Sequence, residues 1–199
     1  MYTLKSLPFE MFSLEPFIDT HTLGLHHYKH ELSYLNNLNK ILEKYNLNNK
    51  YRIEELYSHL NEFKDEDKND LIFYLGGVIN HELYWQSINP HNKENPKGKL
   101  LDAIKEKFGS FDNMWEEFKT LVTTLKGSGY VFLVKNQNNV IDLISTSNQD
   151  SPYLFNLTPL FCIDLWEHAY YINYENDKLK YFENFKILAN FNYANKNFN

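Results

Sequence analysis

The chain has 199 residues, of which 43% are apolar and 17% aromatic, and it carries a formal net charge of −6. This composition can supply the core of one large domain or two small ones, which excludes a mainly disordered chain. The negative charge argues against a general nucleic-acid binder, and the single cysteine excludes an internal disulfide and a thiolate metal cluster.

The chain has no segment with the sequence properties of a membrane anchor. No stretch reaches the roughly 18 to 20 apolar residues that span a bilayer. Lys5 and Pro8 interrupt the first residues before an apolar signal core can form. We therefore expect no membrane partner and a cytoplasmic location.

Apolar residues at helical spacing predict two long helices in the first half of the chain. The first covers residues 20–45, with Asp19 or Thr20 as its N-cap, and the second covers residues 67–88. Asn89 and Pro90 stop the second helix. Because a polar connector joins the two helices, we expect an N-terminal α-hairpin.

The second half of the chain has a different pattern. Residues 90–98 are polar and broken by two prolines and a glycine, so we expect domains at 1–90 and 91–199 with a metal site between them. Ser110 introduces the second of two short helices. The sequence predicts an α+β fold in which this half holds a small three-stranded antiparallel sheet and flanking helices, with helices at 100–108, 111–125 and 175–191 and strands at 130–134, 140–144 and 160–163.

Residues with possible chemistry lie on both long helices. His26, His30 and Tyr34 are four residues apart and therefore share one face of the first helix. His81 lies on the second helix, one turn after Gly77; glycine there costs about 1 kcal/mol relative to alanine, which indicates a bulky neighbour or close helix packing. Histidines on helices more often satisfy a core hydrogen bond or face solvent, and this is our interpretation of His21, His27, His59 and His91.

The densest signal is residues 164–171, which directly follow the predicted third strand. Asp164 and His168 are ligand-competent groups four residues apart, flanked by one tryptophan and two tyrosines. Such a pair can meet at one ion while the aromatic side chains exclude bulk water. From these residues alone, an interfacial aromatic cluster is an equally good interpretation.

Residues 164–171 resemble the D-x-W-E-H-A-Y-Y signature of the iron and manganese superoxide dismutases. The likeness extends over nearly the whole chain and includes residues 7–9, 26–30, 127–129 and 145–152. It implies dismutation of superoxide at one manganese or iron ion per chain. The four ligands that it implies are His26, His81, Asp164 and His168.

The resemblance also implies roles around the metal. His30, Tyr34 and Gln149 are the implied catalytic residues, of which His30 and Tyr34 form a gate. Glu167 is similar to a glutamate that reaches a metal-binding histidine of a partner subunit, and Tyr171 to a tyrosine that meets the partner's gate histidine. A homodimer is therefore implied, and pairing of dimers into tetramers stays open. The implied surrounding shell is Gly77, Trp85, Tyr130 and Trp166.

The implied metal depends on where the family carries one glutamine. Manganese enzymes have glycine on the second helix and glutamine in the hairpin region, as Gly77 and Gln149 are here, so manganese is favoured. Cys162 stands where manganese enzymes commonly have glycine and iron enzymes threonine, which leaves iron or both metals open. Further departures from the family pattern are Tyr130, Phe132, Lys126 and Lys178-Leu179.

Other classes of protein were weighed against this resemblance. His30-Glu31 and His81-Glu82 each begin like the zinc-peptidase motif HExxH, but both lack its second histidine. A di-iron carboxylate bundle would need glutamate three residues before a histidine, and no histidine here has one. The remaining alternative is a non-catalytic descendant of the family that keeps the metal.

Overall fold

The computed structural model of the chain describes residues 1–91 and 93–198. The predicted first helix is a rod of three parts: α1 (Thr20–Leu25), a π-helical turn (His26–Glu31) and α2 (Leu32–Lys44). The Asp19 side chain caps the rod by accepting a hydrogen bond from the backbone N–H of Thr22 at 2.6 Å. The π-helical turn was not predicted. Helices are recognised in a sequence by the spacing of their apolar residues, and the π-helical turn does not interrupt that spacing on either side. The sequence therefore gave no indication of the turn.

The second long helix, α3, runs over Asp65–Ser87. It packs antiparallel to α2 in the predicted hairpin, around a core that includes Leu38, Leu42 and Leu75. The connector is more ordered than its polar composition suggested, because it contains a 3-10 helix at Ile53–Glu62 with Leu56 fully buried.

The second half contains the predicted three-stranded antiparallel sheet. Its strands are β1 (Gly129–Lys135), β2 (Ile141–Ser147) and β3 (Thr158–Asp164), in the spatial order β2-β1-β3. The prediction began β2 one residue too early and ended it three residues too soon, at Ile144. The hydrophobic run signalled the strand, whereas its polar end pairs through backbone hydrogen bonds with β1.

Within residues 93–198, five α-helices accompany the sheet. Those before it are α4 (Gly98–Phe108) and α5 (Phe111–Thr124), and Ser110 caps α5 as expected, through a 3.0 Å bond from the Asn113 N–H. The predicted last helix at 175–191 was too long, because Glu175 has a φ of +49° that no α-helix contains. One helix, α7 (Lys178–Leu188), lies within this range. The helix α6 (Tyr171–Tyr174) precedes the range and α8 (Asn192–Asn197) follows it.

The two halves meet along α3 and β3, which pack against each other. Ser87 at the end of α3 accepts a hydrogen bond from the backbone N–H of Cys162 in β3 at 3.0 Å. Ile88 pairs with Ala189 as an isolated antiparallel bridge. The α+β architecture is confirmed, and the division at residue 90 stays a prediction. Asn92 and Asn199, which fall in the predicted second domain, lie outside the described residues.

Within residues 1–91 and 93–198, none of the helices combines the length and the apolar character needed to cross a bilayer.

Candidate metal centre

Four side chains from four elements of the fold converge between the hairpin and the sheet. His26 comes from the π-helical turn, His81 from α3, Asp164 from the end of β3, and His168 from the short 3-10 helix Glu167–Ala169. Each offers one ligating atom, and these atoms all lie within 4.8 Å of one another. We call this set the quartet.

Three members of the quartet are buried, His168 is partly exposed, and the Asp164 carboxylate lies close to all three histidines. Asp164 Oδ2 lies 3.2 Å from His26 Nε2 and 3.8 Å from both His81 Nε2 and His168 Nε2. The three other members surround an Asp164 that has no exposed surface. Three imidazole nitrogens and one carboxylate oxygen are a donor set that suits manganese or iron.

The protonation states match a metal-binding role. Burial lowers the pKa of His26 to about 4 and, together with the nearby His26, holds the pKa of His81 well below its usual range. Burial alone would raise the pKa of Asp164, but the imidazoles of His168 and His26 beside it outweigh this effect and lower that pKa. Neutral imidazole and ionised carboxylate are the forms that bind metals.

Hydrogen bonds from outside the quartet orient two of its four side chains, His81 and Asp164. His81 Nδ1 lies 2.5 Å from the Gly77 carbonyl oxygen, so this nitrogen donates and the lone pair of Nε2 faces the quartet. Within the described residues, Nε2 of His81 and of His168 are buried atoms without a hydrogen-bond partner. The backbone N–H of Trp166 donates to Asp164 Oδ1 at 2.8 Å. Two unpartnered nitrogens aimed at one carboxylate suit the binding of a cation between them.

Tyr34 and Gln149 adjoin the quartet. Gln149 Nε2 donates to the Tyr34 hydroxyl at 3.2 Å, and the Tyr34 ring centroid lies 5.4 Å from that of His81. Burial raises the pKa of Tyr34, and the hydrogen bond from Gln149 partly offsets this. A Cβ added at Gly77 would lie 2.5 Å from Tyr34 Cγ, so the bulky neighbour that Gly77 indicated is the Tyr34 ring.

His30 lies at the edge of the site. Its ring stacks on that of His168 with centroids 4.1 Å apart, and both side chains are partly exposed. Burial, and next the neighbouring His168, lower the pKa of His30. The structure therefore brings His30 and Tyr34 to the quartet, although no contact between the two is described.

The remaining predicted residues fall into two groups. Trp85 packs edge-on against His26 at 4.7 Å, Trp166 lies 5.5 Å from His168, and the Tyr130 hydroxyl lies 3.4 Å from His81 Nδ1. Tyr130 pairs across the sheet with Asp164. Glu167 and Tyr171 are exposed on the surface beside His168.

Sequence reasoning missed several residues near the quartet. Tyr84 stacks on His26 with centroids 5.4 Å apart, and Phe73 lies 5.7 Å from Tyr34. Gly76 lies against the backbone of Gln149. The sequence indicated this close approach only through the presence of a second glycine beside Gly77 in the same helical turn. Glu31 is buried against Trp85, and no periodic signal marked it. The histidines set aside earlier, including the buried His27, are absent from the quartet.

The two halves of the chain match the two domains of one protein family. The family described as "Iron/manganese superoxide dismutases, alpha-hairpin domain" matches residues 1–89, and the one described as "Iron/manganese superoxide dismutases, C-terminal domain" matches residues 96–197.

Individual relatives match nearly the full length of the chain. "Superoxide dismutase [Mn]" of Buchnera aphidicola subsp. Acyrthosiphon pisum is 41% identical, over 97% of this chain and 96% of that protein. "Superoxide dismutase [Mn]" of Listeria innocua is 35% identical, over 99% and 97%. "Superoxide dismutase [Mn] 1" of Leptolyngbya boryana is 34% identical, over 98% and 79%.

Proposed function

The chain belongs to the iron/manganese superoxide dismutase family, and from that premise we propose that its quartet holds one manganese ion at which superoxide is dismutated. Two superoxide anions and two protons become one oxygen molecule and one hydrogen peroxide. One superoxide loses an electron and the other gains it, so no external reductant is needed.

The observation that carries this proposal is the convergence within 4.8 Å of His26, His81, Asp164 and His168, of which all but the partly exposed His168 are buried. A buried carboxylate surrounded by three imidazoles is costly without a cation, because desolvation penalises its charge. When bound, manganese or iron supplies the one-electron oxidation and reduction that no side chain here provides. Gly77 with Gln149, and the names of the relatives, favour manganese.

We propose that Tyr34 and Gln149 handle the protons of the second half-reaction. Because the Tyr34 hydroxyl accepts from Gln149, its own proton is free to be donated into the site. Burial raises the pKa of Tyr34, which keeps this proton in place at neutral pH. Tyr34 therefore both holds a proton and presents it close to His81.

We propose that superoxide enters from the exposed side of the site. His30 and Trp166 both stack on His168 and are partly exposed, so they border the approach. Lys29, one residue before His30, is exposed and presents a cation on a chain of net charge −6. A local positive charge attracts the superoxide anion despite the overall charge.

The decisive experiment is to load the protein separately with manganese and with iron and to measure superoxide decay by stopped flow. We expect acceleration by the manganese form. Activity with iron alone would overturn the metal assignment, and binding of either metal without acceleration would identify a non-catalytic member of the family.

Gln149→Ala is expected to keep the metal but to lower activity by about 10- to 100-fold and to shift the reduction potential, as loss of a residue that supports the ligands does. Metal content, a redox titration and superoxide decay measure these effects. Gln137→Ala, in the exposed β1–β2 turn, is the matched control. Loss of metal from Gln149→Ala would instead show a structural role.

We propose that the chain forms homodimers through the surface that carries Glu167 and Tyr171. Both side chains are exposed next to His168, and Tyr171 and Ile172 leave about half of their surface open at 49% and 54%. An apolar patch at the mouth of a buried site favours coverage by a second copy. Whether dimers pair further into tetramers is measured in the same experiment.

Glu167→Ala is expected to weaken that dimer about 30-fold or more, since truncating one partner of a buried charged contact costs about 2 kcal/mol or more. Sedimentation velocity over a range of concentrations measures the change. Glu117→Ala, on the exposed face of α5, should leave the dimer intact. Equal behaviour of the two variants would contradict the assigned interface.

We also propose a cytoplasmic location. The single cysteine, Cys162, is buried and reduced, which is typical of proteins from reducing compartments. Fractionation of the producing cells, with activity followed in each fraction, tests it; activity outside the cytoplasmic fraction would contradict it.

A further inference from the structure

A second buried carboxylate lies close to the quartet without belonging to it. Among the described residues, the acidic side chains that are buried are Asp164 and Glu31, and Glu31 is 1% exposed. Glu31 is the last residue of the π-helical turn that begins with His26. A carboxylate without contact with water needs strong hydrogen-bond partners, since its desolvation is costly.

Glu31 finds these partners at a single oxygen. Its Oε2 accepts a hydrogen bond from the indole Nε1 of Trp85 at 2.7 Å and lies 2.6 Å from Nδ1 of His27. Both distances are short for nitrogen–oxygen pairs, as is typical when the acceptor is charged. Glu31 thus ties the π-helical turn to α3, which contains Trp85.

Both partners of Glu31 lead directly to the ligand His26. The Trp85 ring packs edge-on against the His26 ring, with centroids 4.7 Å apart and an interplanar angle of 66°. His27 is the next residue in the chain, and its bond to Glu31 spans the π-helical turn on which His26 stands. Glu31 therefore constrains His26 twice, through the ring beside it and through the backbone turn beneath it.

Among the described residues, Glu31 is the hydrogen-bond acceptor of the Trp85 indole N–H. Glu31 and Trp85 also line a cavity of about 390 Å³, and Glu82 lines the same cavity. Glu82 is held elsewhere, because its carboxylate pairs with Lys5 Nζ at 2.7 Å. If Glu31 were shortened, the indole N–H would lose its acceptor and the ring could move away from His26 towards this cavity.

We propose that Glu31 is a positioning residue for the metal: through Trp85 and the π-helical turn it fixes the orientation in which His26 presents Nε2 to the ion. The inference rests on the proposed function, in that it takes the quartet as the metal site. Residues behind a metal ligand typically change metal affinity by 10- to 100-fold when they are replaced.

The test measures manganese(II) affinity of the full-length protein by competition with a chelator. Glu31→Ala and Trp85→Phe are each expected to weaken binding about 10-fold or more. Both substitutions remove the same hydrogen bond. The double variant should therefore bind manganese(II) no more weakly than whichever single variant binds it less tightly, and this non-additivity would identify the shared hydrogen bond as the cause. The visible absorption band of the manganese(III) form is expected to shift in each variant.

Two further variants separate positioning from general effects. Glu82→Gln removes a neighbouring carboxylate on the same cavity without touching Trp85, and it should bind manganese(II) like the unaltered protein. Glu31→Gln keeps an oxygen that can accept from the indole, so it should recover much of the affinity that Glu31→Ala loses. If Glu31→Ala does not fold, Trp85→Phe carries the test, because it removes the same hydrogen bond.

The proposal would be overturned if Glu31→Ala lost thermal stability while its manganese(II) affinity and visible spectrum stayed unchanged, or if the effects of Glu31→Ala and Trp85→Phe simply added. Failure of the proposed function looks different. In that case the unaltered protein would bind manganese(II) without accelerating superoxide decay, and the affinity comparison among the variants would still stand.

Discussion

Asp164→Asn is expected to remove tight manganese binding and to reduce superoxide decay by about 100-fold or more. Loss of a residue behind a ligand already costs 10- to 100-fold, so loss of the charged ligand itself must cost at least as much. Asp164 Oδ2 lies within 4 Å of all three ligating nitrogens, and its pKa lies well below the usual range, so its negative charge is present at neutral pH.

The fold is expected to survive this change. Asparagine has nearly the shape of aspartate and keeps an oxygen that can accept from the Trp166 N–H, which now donates at 2.8 Å. Equilibrium dialysis with manganese(II), circular dichroism and stopped-flow superoxide decay together measure the result. Asp142→Asn, an exposed aspartate of β2 that pairs with Lys107, is the matched control and should retain both metal and activity. Full activity of Asp164→Asn would exclude the quartet as the site.

Gly76→Ala is expected to destabilise the protein by about 3 kcal/mol or more, at the upper end for overpacking in a core. An alanine Cβ would lie 1.8 Å from the backbone carbonyl oxygen of Gln149, which is backbone and cannot rotate away. Asn80 Nδ2 donates to that same carbonyl at 3.1 Å. Relief of the clash must therefore displace the Gln149 segment from α3 and weaken its hydrogen bond to Tyr34.

The matched control is another glycine inside a helix. At Gly24 in α1, an added Cβ would make only an ordinary 3.6 Å contact with Met11 Cε, so Gly24→Ala should be neutral or stabilise by up to about 1 kcal/mol. Urea unfolding of both apoproteins gives the two free energies, and superoxide decay of the loaded proteins reports the displacement of Gln149. Equal stability of the two variants would contradict the close approach at Gly76.

Local features of the fold followed from the sequence because their causes are local. Asp19 and Ser110 cap the helices that they were expected to cap, through bonds that reach only three residues along the chain. The three strands were recognised by their apolar runs. Their ends were misjudged where pairing with β1 extends β2 through the polar residues Ser145 and Ser147, which no apolar pattern can signal.

The candidate site likewise contains residues that the sequence predicted and residues that only the structure revealed. Residues 164–171 and their resemblance to a family signature predicted all four members of the quartet before any geometry was known. Gly77 indicated a bulky neighbour, and the structure identifies it as Tyr34. The sequence did not indicate Gly76 as a contact of the Gln149 backbone, or Glu31 as the acceptor for Trp85.

The sequence by itself therefore determined the element types, the helix caps, the donor chemistry and the family. Only the tertiary structure decided how closely the groups approach, because periodicity and capping act over a few residues, whereas His26 and Asp164 are 138 positions apart and Glu31 and Trp85 are 54 apart. Contacts over such separations depend on how α3 packs against β3 and the π-helical turn. That packing selects His26 for the quartet and leaves its neighbour, His27, to bind Glu31.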